Sequence, residues 1–97
     1  MQIIWLPSAS EDIKDVISYC EPISEKVVAS IILHIQASVQ MLASFPEMGT
    51  IIEPDYRTRK LVVTKYNYVV VYKLERELIQ IIQVFDTRQD PDKLRVI

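Results

Sequence analysis

Five basic side chains could bind a phosphate group or an acidic partner: Arg57, Arg59, Lys60, Lys65 and Arg88. The first four lie within nine residues that contain no acid, and Tyr66 follows them directly. Cleavage of RNA through its 2′-hydroxyl needs a base, an acid and a cation at the phosphate. Arg59, Lys65 and Arg88 are the candidate catalytic residues for that chemistry. Basic side chains also protect exposed strand edges, so the same residues could simply be solvated.

Few groups in the sequence could carry a proton in such a reaction. The single histidine, His34, lies in the middle of a helical pattern, which favours a surface or partner contact over a catalytic role. Asp86 ends the last apolar run, where a carboxylate would repel a phosphate, and pairing with Arg88 or capping of a turn is expected instead. The period-two spacing of Tyr68 and Tyr72 is typical of packing on a sheet. The set of residues for RNA cleavage is therefore incomplete.

The sequence predicts neither a metal site nor a cofactor. One cysteine, Cys20, and one histidine provide no ligand cluster, and Cys20 falls on an apolar stripe typical of a core residue. The carboxylates of Asp86, Asp90 and Asp92 are a weak signal for magnesium, because charged tails of this kind are common. The single glycine leaves no room for a glycine-rich phosphate loop.

Charge is distributed unevenly along the chain, whose net charge is −2. Residues 1–49 carry two basic and six acidic groups, and residues 50–97 carry nine basic and seven acidic groups. A pI near 5.3 argues against a protein whose whole surface binds nucleic acid. Uncharged apolar runs such as residues 66–72 are too short to cross a bilayer, and the first residues do not resemble a signal peptide. We therefore expect a cytoplasmic protein without membrane contact.

The elements that must position these residues begin with a strand at residues 2–6. Ser8 and Glu11 fit a capping box for a first helix. Ser24 is expected to cap a second helix over residues 25–45. Two amphipathic helices joined by a short break form an antiparallel hairpin. The second helix carries a core stripe of Val28, Ile31, Ile32, Ile35, Val39 and Leu42, widened by Val27, Leu33, Ala37 and Met41.

The second half of the chain predicts a loop at residues 50–56, followed by strands. Three of these are expected, at about 58–64, 67–74 and 78–86. Apolar residues on both faces of the last run predict a central strand, with Ile79 and Ile81 on the face opposite Val84. The order βααβββ predicts an α+β fold in one domain, residues 1–97. Its helical hairpin should pack on an antiparallel meander that also pairs with the first strand.

Four groups of residues carry a resemblance to a known family. They are Trp5-Leu6-Pro7-Ser8-Ala9 with Asp12-Ile13 and Ile17-Ser18-Tyr19; Leu42 with Phe45-Pro46 and Gly49; Arg59-Lys60-Leu61 with Tyr66, Tyr68 and Tyr72; and Val84-Phe85-Asp86-Thr87-Arg88. In this order and at this spacing they resemble the RelE/ParE superfamily, the small toxins of bacterial type II toxin–antitoxin modules, over nearly the full length of the chain.

This family divides by target. RelE-like members are ribosome-dependent endoribonucleases that cleave mRNA, whereas ParE-like members share the fold, act on DNA gyrase and show no known hydrolytic chemistry. The nuclease branch often has an arginine early in the second hairpin strand and a histidine at the end of the last strand. This chain has Val69 and Asp86 at those places. The resemblance is therefore nearer to the ParE-like branch.

The resemblance implies the toxin of a type II module of the plasmid stabilisation type, which inhibits growth by acting on DNA gyrase and is neutralised by a cognate antitoxin. The candidate target-binding residues are Arg57, Arg59, Lys60, Tyr66 and Arg88. Two alternatives remain open. One is a RelE-like mRNA interferase that acts with the ribosome and mRNA, and the other is a degenerate toxin that retains only antitoxin binding. Assembly as a homodimer or as a toxin–antitoxin hetero-oligomer also remains open.

Overall fold

The structure is a computed structural model and describes residues 1–63 and 65–87. Its elements are β1 (Gln2–Trp5), α1 (Pro7–Cys20), α2 (Glu25–Ser44), β2 (Thr50–Ile52), β3 (Asp55–Val62), β4 (Tyr68–Glu75) and β5 (Leu78–Asp86). The strands form one sheet in the order β1-β5-β4-β3-β2. β1 runs parallel to β5, and the other neighbouring strands are antiparallel. The predicted α+β fold and the central position of β5 are confirmed.

The start of α1 provides hydrogen-bond partners for the part of β5 that extends beyond the end of β1. The helix begins at Pro7, whose fixed φ suits the first helical position, and no side chain caps it. The predicted capping box is therefore wrong, because the Ser8 hydroxyl donates instead to the carbonyl of Ile82 at 2.6 Å. Asp12 accepts the backbone N–H of Val84 at 3.0 Å. Two side chains of α1 thus satisfy backbone groups of β5 that lie beyond the last residue of β1.

A bulge in β5 lies at the same place. The register between β4 and β5 shifts at Tyr72, and Ile82 becomes the additional residue of the bulged strand. Val84 consequently joins Ile79 and Ile81 in the core, on the face that the helices cover. The prediction that these residues lie on opposite faces is wrong, since strict alternation holds only along an unbroken ladder.

The second helix is capped as predicted, because the Ser24 hydroxyl accepts the N–H of Val27 at 3.3 Å. Its most buried residues are Ile31, Ile35, Val39 and Leu42. By length and composition alone α2 could also cross a membrane. The expectation that no run is long enough overlooked this helix. The core helix of a protein can have the same length and composition. One stripe of α2 is buried in the core.

The segment predicted as a loop, residues 50–56, contains β2 and the start of β3. Thr50 pairs with Lys60 and Ile51 with Arg59, so β2 forms the outer edge of the sheet beside β3. The loop prediction is wrong here because three paired residues are too few to produce a detectable alternation of apolar and polar side chains.

Replacement of Asp12 by alanine is expected to lower the free energy of unfolding by about 1–3 kcal/mol, because the N–H of Val84 loses its acceptor in a partly buried place. Urea denaturation followed by circular dichroism measures this change. Asp15→Ala is the matched control, since Asp15 lies exposed on the same helix and carries the same charge. Equal effects of the two substitutions would contradict the role assigned to Asp12.

Candidate functional site

Arg59, a candidate for both catalysis and target binding, is bound to the backbone of its own fold. Its Nη1 atom donates to the carbonyl of Gly49 at 2.7 Å and to the carbonyl of Glu47 at 3.0 Å. Its Nε atom is buried and has no hydrogen-bond partner among the described residues. The guanidinium group therefore stabilises the turn that follows α2 through its Nη1 atom, which is not available to a phosphate while these bonds persist.

The same turn is held by Tyr72. The buried hydroxyl of this residue accepts the N–H of Gly49 at 2.9 Å and donates to the carbonyl of Pro46 at 2.8 Å. A Cβ atom at position 49 would lie 2.6 Å from the Tyr72 hydroxyl, so this approach requires glycine. Burial raises the pKa of the Tyr72 hydroxyl, which keeps its proton available for Pro46. The sequence prediction that Tyr72 packs within the sheet therefore omits its polar contacts.

Arg57 lies in an ion-pair network at the other end of β3. It approaches Asp55 at 3.4 Å and Glu75 at 3.3 Å, and Lys73 lies 3.8 Å from both of these carboxylates. A bond from the backbone N–H of Arg57 is the main cause of the lowered pKa of Asp55. Arg57 remains about half exposed, so an acidic partner could still reach it by competing with Asp55 and Glu75.

Lys65 and Tyr66 lie together at the connection between β3 and β4. Tyr66 adopts a positive φ of 66°, which is uncommon for a residue with a side chain. Its ring packs edge-on against His34 with centroids 5.7 Å apart, and the Lys65 Nζ atom lies 5.4 Å from the ring centre. The sequence suggested that His34 contacts the surface or a partner, whereas in the structure it packs against Tyr66. It joins α2 to this connection, and its Nδ1 atom lies 2.7 Å from the carbonyl of Ser30.

The remaining candidates do not join either group. Lys60 is exposed and lies on the face of β3 opposite to that of Arg59, since neighbouring strand residues alternate. Arg88, Asp90 and Asp92 lie outside the described residues, so their predicted roles stay predictions. Within residues 1–63 and 65–87, no group of three or more histidine, cysteine or acidic side chains could hold a metal ion.

The described candidates therefore do not form one catalytic cluster. Glu75, which binds Arg57, ends β4, whereas Lys65 and Tyr66 precede its first residue. With a strand rise of about 3.3 Å per residue, the two ends of β4 are about 20 Å apart. Arg59 lies between them, with its Nη1 atom bound to the turn after α2. Among these residues the arrangement offers separate cationic contacts for a macromolecule, not a base and a cation around one phosphate.

An apolar surface on the outward side of α2 and the segment after it was missed by sequence reasoning. Its exposed members are Val27, Leu33, Met41, Phe45, Met48 and Ile51. Val27, Leu33, Ala37 and Met41 were expected to widen the core stripe, but all four are exposed, and Leu33 reaches 64%. The sequence did contain a signal for this exposure, because the apolar pattern of α2 is wider than the face that one helix can bury. Exposed apolar surfaces of this kind mark sites of protein interaction.

Comparison with known proteins agrees with this architecture. Residues 3–91 match the family model described as the ParE toxin of the type II toxin–antitoxin system, parDE. Among solved structures, the chain is similar to one from the chromosomal ParDE toxin–antitoxin system of P. aeruginosa, with a TM-score of 0.75 and 17% sequence identity over 89% of this chain and 95% of that chain. At this identity the structural likeness shows the fold alone. No curated protein matches the chain significantly.

Arg59→Ala is expected to lower the free energy of unfolding by roughly 1–3 kcal/mol, because two backbone carbonyls lose a charged donor. Lys60→Ala is the matched control, since Lys60 is the next residue of the same strand and its side chain is exposed on the other face. Urea unfolding of both variants measures the difference. If Arg59→Ala were as stable as the wild-type protein, the structural role of Arg59 would be refuted.

The lowered pKa of Asp55 predicts a pH dependence of stability. Its contribution is fully present above the pKa of an unfolded aspartate, about 3.9, and is lost as the pH falls through the lower value of the folded state. Asp55→Asn should therefore flatten the acid side of the profile of thermal stability against pH. Glu53→Gln removes a nearby exposed carboxylate and serves as the control. An unchanged profile for Asp55→Asn would contradict the network.

Proposed function

This chain belongs to the ParE toxin family and is the toxin component of a type II toxin–antitoxin module, and we propose that it inhibits growth by binding DNA gyrase. In this proposal the toxin acts in the cytoplasm through protein contacts, without hydrolysing a substrate, and a cognate antitoxin neutralises it by covering its binding surfaces.

The position of Arg59 is the observation that carries this proposal. The interferase alternative would place Arg59 at a phosphate, but here two backbone carbonyls accept from its Nη1 atom. Tyr72, the tyrosine nearest to it in the sheet, is bound to the same turn. Arg57, which remains about half exposed, lies at the end of β4 opposite to Lys65 and Tyr66, and a broad protein interface accommodates this separation better than a single catalytic centre does.

The apolar outward side of α2 supports neutralisation by an antitoxin. Leu33, Met41 and Phe45 are each about half exposed or more. An amphipathic segment of a partner could cover them by laying its own apolar face along the helix. Burial of apolar surface contributes about 25 cal/mol per Å², which favours a stable complex over the free toxin.

The RelE-like alternative depends on Lys65 and on Arg88, the latter beyond the described residues. Two exposed lysines separate the hypotheses, because Lys60 is a candidate only for target binding and Lys65 only for catalysis. If gyrase is the target, Lys60→Ala should weaken growth inhibition about two- to fivefold, as expected for one exposed charge in an interface, and Lys65→Ala should leave it unchanged.

The wild-type toxin is expected to inhibit DNA supercoiling by purified gyrase and to leave ribosome-bound mRNA intact. The supercoiling assay and a toeprint of mRNA on ribosomes measure the two activities side by side. Cleavage of mRNA without inhibition of gyrase, together with loss of toxicity in Lys65→Ala, would refute the proposal in favour of the interferase. Absence of both activities and of growth inhibition would indicate a degenerate toxin.

A further inference from the structure

The middle of the sheet is buried on both faces, although both helices pack on only one of them. Tyr68, Val70 and Tyr72 of β4 lie in the core together with side chains of α1 and α2. Val69 and Val71 alternate with these residues and therefore lie on the opposite face, the outer face of the sheet. They are nevertheless only 7% and 1% exposed, and they do not belong to the core that contains the helices. The outer face therefore has a cover of its own.

The buried part of the outer face extends from β4 to β5. Val69 pairs with Phe85 and Val71 with Gln83, and both partners are buried as well. Cross-strand partners project on the same face, so these four residues form one patch, the outer patch. Val62 of β3, which pairs with Val69 on its other side, is 64% exposed. The cover therefore lies over β4 and β5 and does not reach this part of β3.

The described part of the chain does not supply this cover. Within residues 1–63 and 65–87, no element lies over the outer patch, because both helices pack on the other face and all strands belong to the sheet itself. Tyr66, in the nearest connection, packs against His34 of α2. The burial is a property of a single chain, so it does not come from a second copy. Of the remaining positions, 64 is a single residue, whereas 88–97 are ten residues that follow β5.

We propose that residues 88–97 fold back over the outer face of the sheet and cover the outer patch. The segment begins at the right place. The N–H of Thr87 donates to the carbonyl of Asn67 at 2.7 Å, and the hydroxyl of Thr87 donates to the same carbonyl at 3.0 Å. These bonds hold the end of β5 beside the start of β4, where the outer patch begins. The proposal does not depend on the proposed function.

The length and composition of the segment fit this role. Ten extended residues span at most about 33–36 Å, whereas the outer patch extends over three residues of each strand, about 7 Å. Leu94, Val96 and Ile97 provide apolar side chains to cover it. Pro91 has no N–H for a ladder, which disfavours a simple extension of β5. Gln83 needs hydrogen-bond partners in a buried place, and an extended backbone provides both donors and acceptors.

This cover changes what the toxin offers to a partner on this side of the sheet. With the outer patch closed, Lys60 and Val62 of β3 are the side chains of β3 that stay exposed beside it. Arg88 belongs to the covering segment. Removal of the segment therefore exposes an apolar patch in addition to deleting Arg88, and loss of toxicity after truncation does not by itself assign a contact to that arginine.

The reactivity of an introduced cysteine measures the cover. Val71→Cys and Val62→Cys each place one thiol on the outer face, in a Cys20→Ala background that leaves no other thiol. In the full-length protein, a maleimide should label the Val71→Cys variant at least about tenfold more slowly than the Val62→Cys variant. Ending the chain after Thr87 should raise the rate at position 71 about tenfold or more and leave the rate at position 62 unchanged. Circular dichroism establishes that the shortened chain is folded.

A second measurement decides the question if the shortened chain does not fold. In the full-length protein, nuclear Overhauser effects should connect the methyl groups of Val69 and Val71 with side chains of residues 88–97. Their absence overturns the proposal, and so does fast labelling at position 71 in the full-length protein.

Two further outcomes assign the burial to another source and overturn the proposal equally. Slow labelling at position 71 that persists in a folded chain ending at Thr87 shows that side chains of the sheet bury the outer patch by themselves. Slow labelling that is lost on dilution assigns the cover to a second copy. Each of these results leaves the binding of gyrase untouched, because the supercoiling assay tests that binding separately.

Discussion

The hydroxyl group of Tyr72 is the contact on which the rest of the structure depends. It lies in the middle of β4 and binds the turn after α2 through the N–H of Gly49 and the carbonyl of Pro46. The close approach leaves no space for a Cβ atom at position 49. Once this turn is fixed, the end of α2 is held over the sheet and the chain enters β2 beside β3. Arg59 then completes the arrangement by binding two carbonyls of the turn.

This contact explains why Arg59 and Tyr72, whose residue types could take part in catalysis, stabilise the fold. A guanidinium group bound to backbone carbonyls loses the freedom to follow a substrate, and a buried tyrosine hydroxyl that donates its proton to a backbone carbonyl cannot donate it to a substrate. Arg59 and Tyr72 both belong to the motifs that resemble the toxin family. The motifs are therefore informative about the fold, and a motif residue bears on the target only where its side chain is exposed, as that of Lys60 is.

The parts of the fold that follow local patterns could be predicted from the sequence, and the parts that depend on distant contacts could not. Both helices, the Ser24 cap and the three long strands follow periodicity and local hydrogen bonding. The hydroxyl of Ser8 fits a capping box locally, but the carbonyl of Ile82 lies within its reach only after folding. The same holds for the bulge in β5 and for the packing of His34 against Tyr66, neither of which leaves a signal in the linear pattern.

The fold leaves two features exposed, the apolar outward side of α2 and the edge of β1. α2 is apolar on more sides than the sheet can cover, and β1 exposes backbone donors and acceptors at an edge without charge or bulge. A free domain gains nothing from either, because both favour unspecific association. The neutralising antitoxin that we propose would cover the apolar side of α2 and remove this hazard there.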